Sequence, residues 1–287
     1  MDNIKVSLII TTKNAQQYIA GCLDSIKYQN YNQSEIEVIV VDNNSTDKTK
    51  EIASKYTDKI YNCGPERSAQ RNFGISKALG KYVLYLDVDM LLSENVLSEC
   101  VEKIEADDLI ALYVPEVIVG KGFWIQVRNF ERSFYNATVV DCVRFIKKDA
   151  FMKIKGFDEN LTGPEDWDLD RRINQTGKTS IINVPIYHNE GVFNLKNYLL
   201  KKSYYSKTFE KYVQKWGKND AIIKKQLGFS YRFFGVFIEN GKWKKLISCP
   251  VFTWGMYFLR FLVGLTFLVS RIGRNPLKNK GNIYGQK

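Results

Sequence analysis

Up to Met90 the chain alternates short, continuously apolar runs with longer segments in which apolar residues recur every three or four positions. The short runs are typical of buried strands and the longer segments of amphipathic helices. Strands and helices that alternate in this way predict an α/β fold with a mostly parallel sheet flanked by helices. The predicted strands cover residues 6–10, 37–41, 59–62 and 82–86, and the predicted helices cover residues 15–28, 48–56 and 68–79.

Polar residues follow three of these strands at the points where the strands end. They are Thr-Thr-Lys-Asn at 11–14, Asp42, and Asp-Val-Asp at 87–89. Because ligands of open α/β sheets bind outside the carboxyl ends of the strands, we expect these residues to line one crevice. Asp42 could accept hydrogen bonds from a ribose or a base there, and Arg71 could meet base carbonyls or phosphate. The crevice is therefore predicted to bind a nucleotide, although capping chemistry would explain any one of these residues alone.

Asp87 and Asp89 are two positions apart and would point to the same side if the strand continued through them. At a separation of about 5 Å and an effective dielectric constant of about 20, their repulsion is about 3 kcal/mol. A positive group is therefore expected between them. A divalent cation holding a diphosphate is the obvious candidate, because Mg²⁺ takes one or two carboxylates together with substrate phosphates. A pair of solvated loop acids is the alternative.

A second group of acids follows Pro164, in the segment Glu-Asp-Trp-Asp-Leu-Asp at 165–170. Proline is well tolerated at a helix start, and acids in the first turn suit the helix dipole. A carboxylate at a helix start that faces a cleft is also well placed as a general base. Asp166 and Asp170 should share one helix face, where the arginines at 171–172 could pair with them.

His188 is the only histidine in the sequence. It follows a short apolar segment at 181–187 and precedes Asn-Glu-Gly at 189–191, so it could lie at another strand end. A lone histidine is most often a packing residue. At a strand end, however, its neutral imidazole could complete a metal site begun by Asp89.

The composition is that of a globular protein with a basic surface. The 287 residues are 45% hydrophobic and carry a net charge of +11, which suits an anionic partner such as a nucleotide, a nucleic acid or an anionic membrane surface. The five cysteines have no paired spacing, so we expect reduced packing residues. The amino terminus lacks the pattern of a secretory signal, which favours a cytoplasmic protein.

From Leu195 onward lysines are interleaved with Leu, Tyr and Phe, as in proteins that bind a membrane surface. No nucleic-acid recognition motif accompanies them. Residues 251–270 are long enough to span a bilayer, but Arg260 in their middle would cost about 2.5–3.5 kcal/mol. Helices lying in the cytoplasmic membrane interface are therefore predicted in preference to a span, and a core helix is the alternative. Basic residues flank both ends and give no clear orientation: Lys242, Lys244, Lys245, Arg271, Arg274, Lys278 and Lys280.

In order and spacing, these motifs resemble those of the inverting family 2 glycosyltransferases, which have the Rossmann-like GT-A fold. The resemblance runs from about Val6 to Gly191. It rests on Val-Ser-Leu-Ile-Ile at 6–10 with Asn14, Val-Asp-Asn-Asn-Ser-Thr-Asp at 41–47, Arg71-Asn72 before Gly74, Asp-Val-Asp at 87–89, Gly-Phe-Asp-Glu at 156–159, and Glu165-Asp166 with Arg172.

The resemblance implies a role for each candidate residue. Thr11 and Asp42 would contact the nucleotide base, Arg71 the base or phosphate, and Asp87 the ribose. Asp89, helped by His188, would bind Mg²⁺ or Mn²⁺, and Asp166 would take the proton of the acceptor hydroxyl. Glu165, Trp167 and Arg172 would contact the acceptor or support the site. Lys13 stands where related families often carry an aromatic residue, so it could reach phosphate instead of stacking on the base.

The resulting prediction is a GT-A catalytic domain at 1–194 followed by a basic and aromatic helical region at 195–287 on the cytoplasmic membrane surface. The predicted reaction moves a sugar from a UDP- or GDP-linked donor to a hydroxyl of a lipid-linked acceptor. Two alternatives stay open. One is transfer to polyprenyl phosphate, which needs no base, and the other is a non-catalytic scaffold that binds sugar nucleotides.

Overall fold

The computed structural model describes residues 4–272, with side chains up to residue 267. The strands are β1 Val6–Thr12, β2 Ile36–Asp42, β3 Ile60–Asn62, β4 Tyr82–Asp87, β5 Met90–Leu92, β6 Ala111–Tyr113, β7 Glu116–Lys121, β8 Phe145–Lys147, β9 Thr179–Ile181 and β10 Ile186–Val192. The helices are α1 Ile19–Lys27, α2 Thr49–Ala53, α3 Arg67–Lys77, α4 Val96–Ala106, α5 Phe123–Arg132, α6 Lys148–Lys153, α7 Glu165–Asn174, α8 Leu195–Tyr205, α9 Phe209–Trp216, α10 Ala221–Leu227, α11 Val236–Ile238, α12 Trp243–Ser248 and α13 Pro250–Ile272.

The main sheet has the strand order β3-β2-β1-β4-β8-β6-β9. Its first four strands are parallel, as predicted, whereas β8 runs antiparallel to both of its neighbours. The side chains of β1 are buried along its whole length, because helices cover both faces of the sheet. The apolar runs that predicted the strands therefore form the centre of the core.

The polar strand ends meet at one edge of this sheet. Thr12 lies opposite Asp42 across the β1–β2 pair, and Thr11 lies opposite Asp87 across the β1–β4 pair. The prediction that these strand ends lie together is therefore confirmed.

Helix α1 begins at Ile19, later than the predicted start at residue 15. The backbone N–H groups of Asn14 and Ala15 donate to the hydroxyls of Ser45 and Thr49, at 2.7 and 2.8 Å. These bonds tie the loop after β1 to the loop after β2, and the helix starts only beyond them.

A second sheet, in the order β5-β10-β7, carries the histidine. The main-sheet strand ends at Asp87, the chain turns, and β5 starts at Met90, directly opposite His188 on the antiparallel strand β10. The N–H of Asn189 also donates to the carbonyl of Asp89 at 2.9 Å. His188 therefore lies within a strand rather than at a strand end, and β5 places it beside Asp89.

The carboxyl-terminal helices pack onto the amino-terminal part of the chain. Phe130 and Phe134 form one apolar cluster with Phe237 and Met256, and Tyr212 packs against Leu161 in another. All five cysteines, each within the described residues, are free. Within the described residues, Pro250–Phe267 is long and apolar enough to cross a membrane by length and composition, and 22% of it is buried against the protein. The side chains of Arg271, Arg274, Lys278 and Lys280 lie outside the described residues.

Candidate active site

Asp87 ends β4 and lies between two arginines of α3. Its carboxylate accepts hydrogen bonds from Arg71 Nη2 at 2.9 Å and from Arg67 Nη1 at 3.3 Å, and the Thr11 hydroxyl donates to it at 3.1 Å. Burial raises the pKa of Asp87, but the two guanidinium groups outweigh burial and hold that pKa well below its usual range. The positive charge expected beside Asp87 is therefore supplied by the protein itself.

Asp87 and Asp89 bind different protein groups. The chain turns after Asp87, and the carboxylate of Asp89 faces His188, with its Oδ2 at 3.3 Å from the histidine Nε2. Because β4 ends at Asp87, the condition under which both acids would point to one side, a strand that continues to Asp89, is not met.

Asp166 lies in the first turn of α7 and is joined to the same arginine pair. Arg71 Nη1 donates to Asp166 Oδ1 at 2.8 Å, so this arginine, only 1% exposed, connects the strand end with the helix start. The side chain of Asp166 is 32% exposed, and within residues 4–267 its Oδ2 accepts no hydrogen bond. A carboxylate with one oxygen anchored and the other open is suited to accept a proton.

Glu165 is buried next to Asp166 and faces Arg67. One oxygen accepts from Arg67 Nη2 at 3.3 Å, and the other accepts from the backbone N–H of Gly163. Burial and the neighbouring charge of Asp166 raise the pKa of Glu165 to about 7, and Arg67 offsets only part of this rise.

The loop after β2 holds Asp42 below the crevice. Asp42 is fully buried and accepts hydrogen bonds from the N–H and the hydroxyl of Ser45, at 2.7 and 2.5 Å. Thr11 is also buried, and its hydroxyl is occupied by Asp87, whereas Lys13 is exposed. The nucleotide contacts of these three residues stay predictions.

His188 connects Asp89 to a buried carboxylate. Its Nδ1 lies 2.9 Å from Glu116 Oε1, and Glu116 in turn binds Arg144 at 3.0 Å. Burial opposes a charge on His188, but the hydrogen bonds to Asp89 and Glu116 outweigh it and raise the pKa of the ring to about 10. Glu116 fixes the ring orientation, so that Nε2 faces Asp89.

The pair formed by Asp89 and His188 fits a divalent cation that also binds substrate phosphates. Within the described residues, the buried Asp89 Oδ1 has no hydrogen-bond partner, as expected for a ligand atom whose partner is not protein. A site of one carboxylate and one imidazole would leave phosphate oxygens and water to complete the ligands of a bound Mg²⁺ or Mn²⁺. Within the part of the chain that is described, no group of three or more His, Cys, Asp or Glu residues could hold a metal by protein ligands alone.

The remaining acids and arginines of α7 bind away from the crevice. Arg171 pairs with Asp220 rather than with Asp166 or Asp170, and Arg172 pairs with Asp168 at 2.8 Å. Asp170 instead accepts hydrogen bonds from the Tyr113 hydroxyl and the Val143 N–H. The predicted pairing of Arg171 or Arg172 with Asp166 and Asp170 was therefore wrong. Arg172 pairs instead with Asp168, four positions earlier on the same helix, and Arg171 pairs with the tertiary partner Asp220.

Trp167 supports α7 from the side of the carboxyl-terminal helices. Its Nε1 donates to the Val140 carbonyl at 3.2 Å, and its ring stacks on Phe209. Any contact of Trp167 or Arg172 with an acceptor stays a prediction.

Two residues of the site were not predicted. Arg67 could have been predicted from its spacing, because it lies one helical turn before Arg71 and so on the same helix face. Glu116 carries none, because only the β7–β10 pairing brings it to His188 across the sequence.

Residues 7–159 match the family model "Glycosyl transferase family 2", which covers more than half of the 287 residues. The chain is 30% identical over 212 residues to the minor teichoic acid biosynthesis protein GgaB of Bacillus subtilis, covering 65% of this chain and 23% of that protein. It is 32% identical over 144 residues to the poly(ribitol-phosphate) β-N-acetylglucosaminyltransferase TarS of Staphylococcus aureus, covering 47% of this chain and 24% of that protein. The chain thus spans about a quarter of the length of these two relatives.

Two solved structures share the fold. The mannosyltransferase PcManGT of Pyrobaculum calidifontis, in complex with GDP-Man and Mn²⁺, superposes with a TM-score of 0.61 at 18% identity, over 95% of this chain and 76% of that chain. Residues 1–349 of S. aureus TarS in complex with UDP superpose with a TM-score of 0.57 at 19% identity, over 82% and 75% of the two chains. The fold is therefore GT-A.

Proposed function

Because this chain belongs to glycosyl transferase family 2, we propose that it transfers a sugar, with inversion and with the help of a divalent metal, from a UDP- or GDP-linked donor to a hydroxyl of a lipid-linked acceptor. The observation that carries the proposal is the bridge through Arg71. Its two terminal nitrogens bind the strand-end carboxylate Asp87 and the partly exposed carboxylate Asp166. This arrangement supports a nucleotide site and a candidate base that lie next to each other.

On the donor side, the nucleoside is proposed to lie over the carboxyl ends of β1, β2 and β4, near Thr11, Asp42 and Asp87. Exposed Lys13 is available for phosphate. Arg71 is buried and both of its amino groups bind carboxylates, so we assign it to positioning Asp87 and Asp166. Arg67 is 34% exposed and is better placed to meet a nucleotide phosphate directly.

On the acceptor side, the open oxygen of Asp166 accepts the proton of the attacking hydroxyl. The hydroxyl oxygen forms a bond to the anomeric carbon while the bond from that carbon to the diphosphate breaks, so one displacement inverts the configuration. Asp89 and His188 would hold a Mg²⁺ or Mn²⁺ ion, which would stabilise the negative charge on the departing diphosphate. Glu116 keeps His188 oriented for that role.

A membrane surface is the proposed location of the acceptor. An apolar face of α13 supports this part of the proposal, because Trp254 is 73% exposed and Phe261 is 59% exposed. Lysines 242, 244 and 245 precede this helix, and a basic rim around an apolar face suits an anionic bilayer.

The decisive experiment is turnover of a panel of radiolabelled UDP- and GDP-sugars with membrane lipid extracts. We expect product formation that requires Mg²⁺ or Mn²⁺ and that is lost with excess EDTA. Asp166→Asn should lower turnover by at least about 10²-fold, since a positioned base contributes about 10²–10⁴-fold. Donor affinity, measured by calorimetry, should change less than about threefold.

The matched control is Asp108→Asn, which removes a fully exposed carboxylate. It should retain wild-type turnover. Near-normal turnover in Asp166→Asn would remove this residue from the base role and favour an acceptor that is already ionised, such as a polyprenyl phosphate.

A further inference from the structure

A cluster of buried charges lies between the catalytic domain and the carboxyl-terminal helices. It is formed by α5, β10, α8, the π-helical turn Tyr231–Gly235 and α13. Its cations outnumber its carboxylates. The charged members are Arg128, Lys202, Arg232 and Arg260 against Glu131 and Glu190.

Two of the four cations are paired with carboxylates. Arg128 binds Glu190 through two hydrogen bonds at 3.2 and 2.7 Å. Arg260 binds Glu131 at 2.6 Å and the Tyr135 hydroxyl at 2.7 Å. The second oxygen of Glu131 lies 3.6 Å from Arg128 Nη1 and, within the described residues, accepts no hydrogen bond. Both carboxylates therefore face Arg128 or Arg260.

Lys202 and Arg232 are left over. Within the described residues, neither side chain has a carboxylate within the 4.0 Å of an ion pair, and neither donates a hydrogen bond. Both lie over aromatic rings instead. The Lys202 ammonium is 5.4 Å from the Tyr198 ring centre, and the Arg232 guanidinium is 5.6 Å from that of Tyr135.

Both cations are half-buried and keep access to solvent. Burial and the neighbouring Arg128 lower the pKa of Lys202 to about 7, against the opposing charge of Glu131. Burial and the charge of Arg260 also lower the pKa of Arg232, whereas Tyr135 and Glu131 oppose this effect. The two side chains therefore carry the excess positive charge of the cluster and are accessible to an anion.

The cluster adjoins both halves of the proposed active site. The Arg232 guanidinium lies 5.8 Å from the ring centre of Trp167, the residue next to Asp166. Glu190, which holds Arg128, follows His188 by two positions on β10. The backbone around Arg232 is π-helical, a conformation found often at functional sites.

We propose that Lys202 and Arg232, backed by Arg128, bind a phosphate group carried by the acceptor. This inference rests on the proposed function and specifies its acceptor as a phosphate-bearing molecule. Two cations on separate helices match the multiple oxygens of a phosphate monoester, phosphodiester or diphosphate, and the aromatic rings around them exclude water. Both a lipid phosphate and a polyol phosphate carry this chemistry.

The test is binding of phosphate probes to the full chain without donor and in EDTA, so that neither the nucleotide nor the metal contributes. The probes are inorganic phosphate, farnesyl phosphate, sn-glycerol 3-phosphate and, as the uncharged reference, farnesol. Inorganic phosphate at ten times its dissociation constant should raise the melting temperature by about 2 °C over chloride of equal ionic strength. Farnesyl phosphate should bind at least about tenfold more tightly than farnesol.

The variants are Lys202→Met and Arg232→Met, with Lys201→Met as the matched control on the exposed neighbour. Each cluster variant should weaken the phosphate probes by at least about tenfold and leave farnesol and UDP with Mn²⁺ unchanged. Without phosphate, Lys202→Met should melt at or above the wild-type temperature, because a half-buried charge without a carboxylate partner is removed. Lys202→Arg, which keeps the charge, should retain phosphate binding and serves if the methionine variant fails to fold.

Tighter binding of farnesyl phosphate than of glycerol 3-phosphate would assign a lipid source, and comparable binding would assign a polyol phosphate. Phosphate affinity that falls equally in Lys201→Met, or that survives in both cluster variants, would overturn the proposal. Loss of all nucleotide-sugar turnover in the wild type, with phosphate binding intact, would instead remove the transfer reaction and leave the phosphate site standing.

Discussion

At the scale of single residues, Arg71 is central to the way in which the carboxylates of the proposed site are arranged. With Arg67 it places two guanidinium groups among Asp87, Glu165 and Asp166. Such buried pairs contribute little net stability but become costly when one partner is removed. The network therefore fixes where each carboxylate lies, and it leaves Asp166 as the carboxylate with an open oxygen.

Glu165 should make stability depend on pH. Its pKa in the folded protein, about 7, is above the ordinary value of 4.5, so unfolded chains release this proton at a lower pH than folded chains do. The contribution of protonated Glu165 to the stability of the folded state is therefore fully present below about pH 4.5 and is lost as the pH rises through 7. A rise of this size corresponds to about 3 kcal/mol.

The measurement is urea unfolding of the wild type and of Glu165→Gln from pH 4.5 to 8.5. Across this range, the unfolding free energy of the wild type should fall by about 3 kcal/mol relative to that of Glu165→Gln. Parallel curves for the two proteins would show that Glu165 ionises normally in the fold.

The sequence predicts those site residues whose surroundings are set by nearby residues, and it does not predict contacts between segments that are far apart in sequence. Asp42, Asp87 and Asp166 could be named because each stands beside a strand end or helix start that its own neighbours specify. The different partners of Asp87 and Asp89 could not, because they depend on where β4 stops and on the register of β10. Glu116 and the Lys202–Arg232 pair depend on contacts that link distant segments, and no local pattern encodes these.

At the scale of elements, α7 joins the catalytic crevice to the carboxyl-terminal helices. Its first turn carries Asp166, while Arg171 further along binds Asp220 through two hydrogen bonds at 2.9 and 2.7 Å and stacks on Trp216. Asp168, fully buried, also accepts from the Trp216 indole at 2.8 Å. The helix is therefore held from both ends, which keeps Asp166, the proposed base, in position.

A double-mutant cycle on Arg171 and Asp220 should show strong coupling. The unfolding free energies of Arg171→Ala, Asp220→Ala and the double variant should give a coupling free energy of about 1–3 kcal/mol, because the pair is bidentate and partly buried. Each single change also loses a further interaction, because Arg171 stacks on Trp216 and Asp220 caps α10 by accepting from the N–H groups of Ile222 and Ile223. The exposed pair Lys147–Asp108 is the control and should couple by less than about 0.5 kcal/mol. Equal coupling in both pairs would show that this contact does not anchor α7.

Arg260 explains how α13 can be apolar and still carry a central charge. The arginine is 7% exposed and faces Glu131 on α5, so it binds the protein rather than a lipid interior. Arg260→Leu should lower the unfolding free energy by about 3–5 kcal/mol, because the buried Glu131 loses its hydrogen-bonded cation and keeps only Arg128, at 3.6 Å. Adding Glu131→Gln should recover part of that loss. A variant that is as stable as the wild type would show that the pair does not hold α13 in place, as would be expected if α13 instead spanned a bilayer.

At the scale of the whole molecule, the sequence predicted the parallel half of the sheet and the charge of the partner for different reasons. The alternation of strands and helices predicted the parallel half of the sheet, since each of those elements is encoded locally. The antiparallel strand β8 and the second sheet were not predicted, because their pairing joins distant segments. The net charge of +11 favoured an anionic partner, and the fold places an apolar helix face after a run of lysines.

The apolar face of α13 and the lysines that precede it predict that the protein binds an anionic membrane. The wild type should float with anionic liposomes in a detergent-free gradient, and the bound fraction should fall at high salt, because the lysines act through screened charge. Trp254→Glu with Phe261→Glu should weaken binding by at least about tenfold, since each side chain loses apolar area buried in the bilayer. The matched control is Tyr28→Glu with Leu79→Glu, which changes two residues of the catalytic domain that are each 67% exposed. If the control pair weakens flotation as much, or if the wild type stays at the bottom of the gradient, the apolar face of α13 is not a membrane surface, and the acceptor must reach Asp166 from solution.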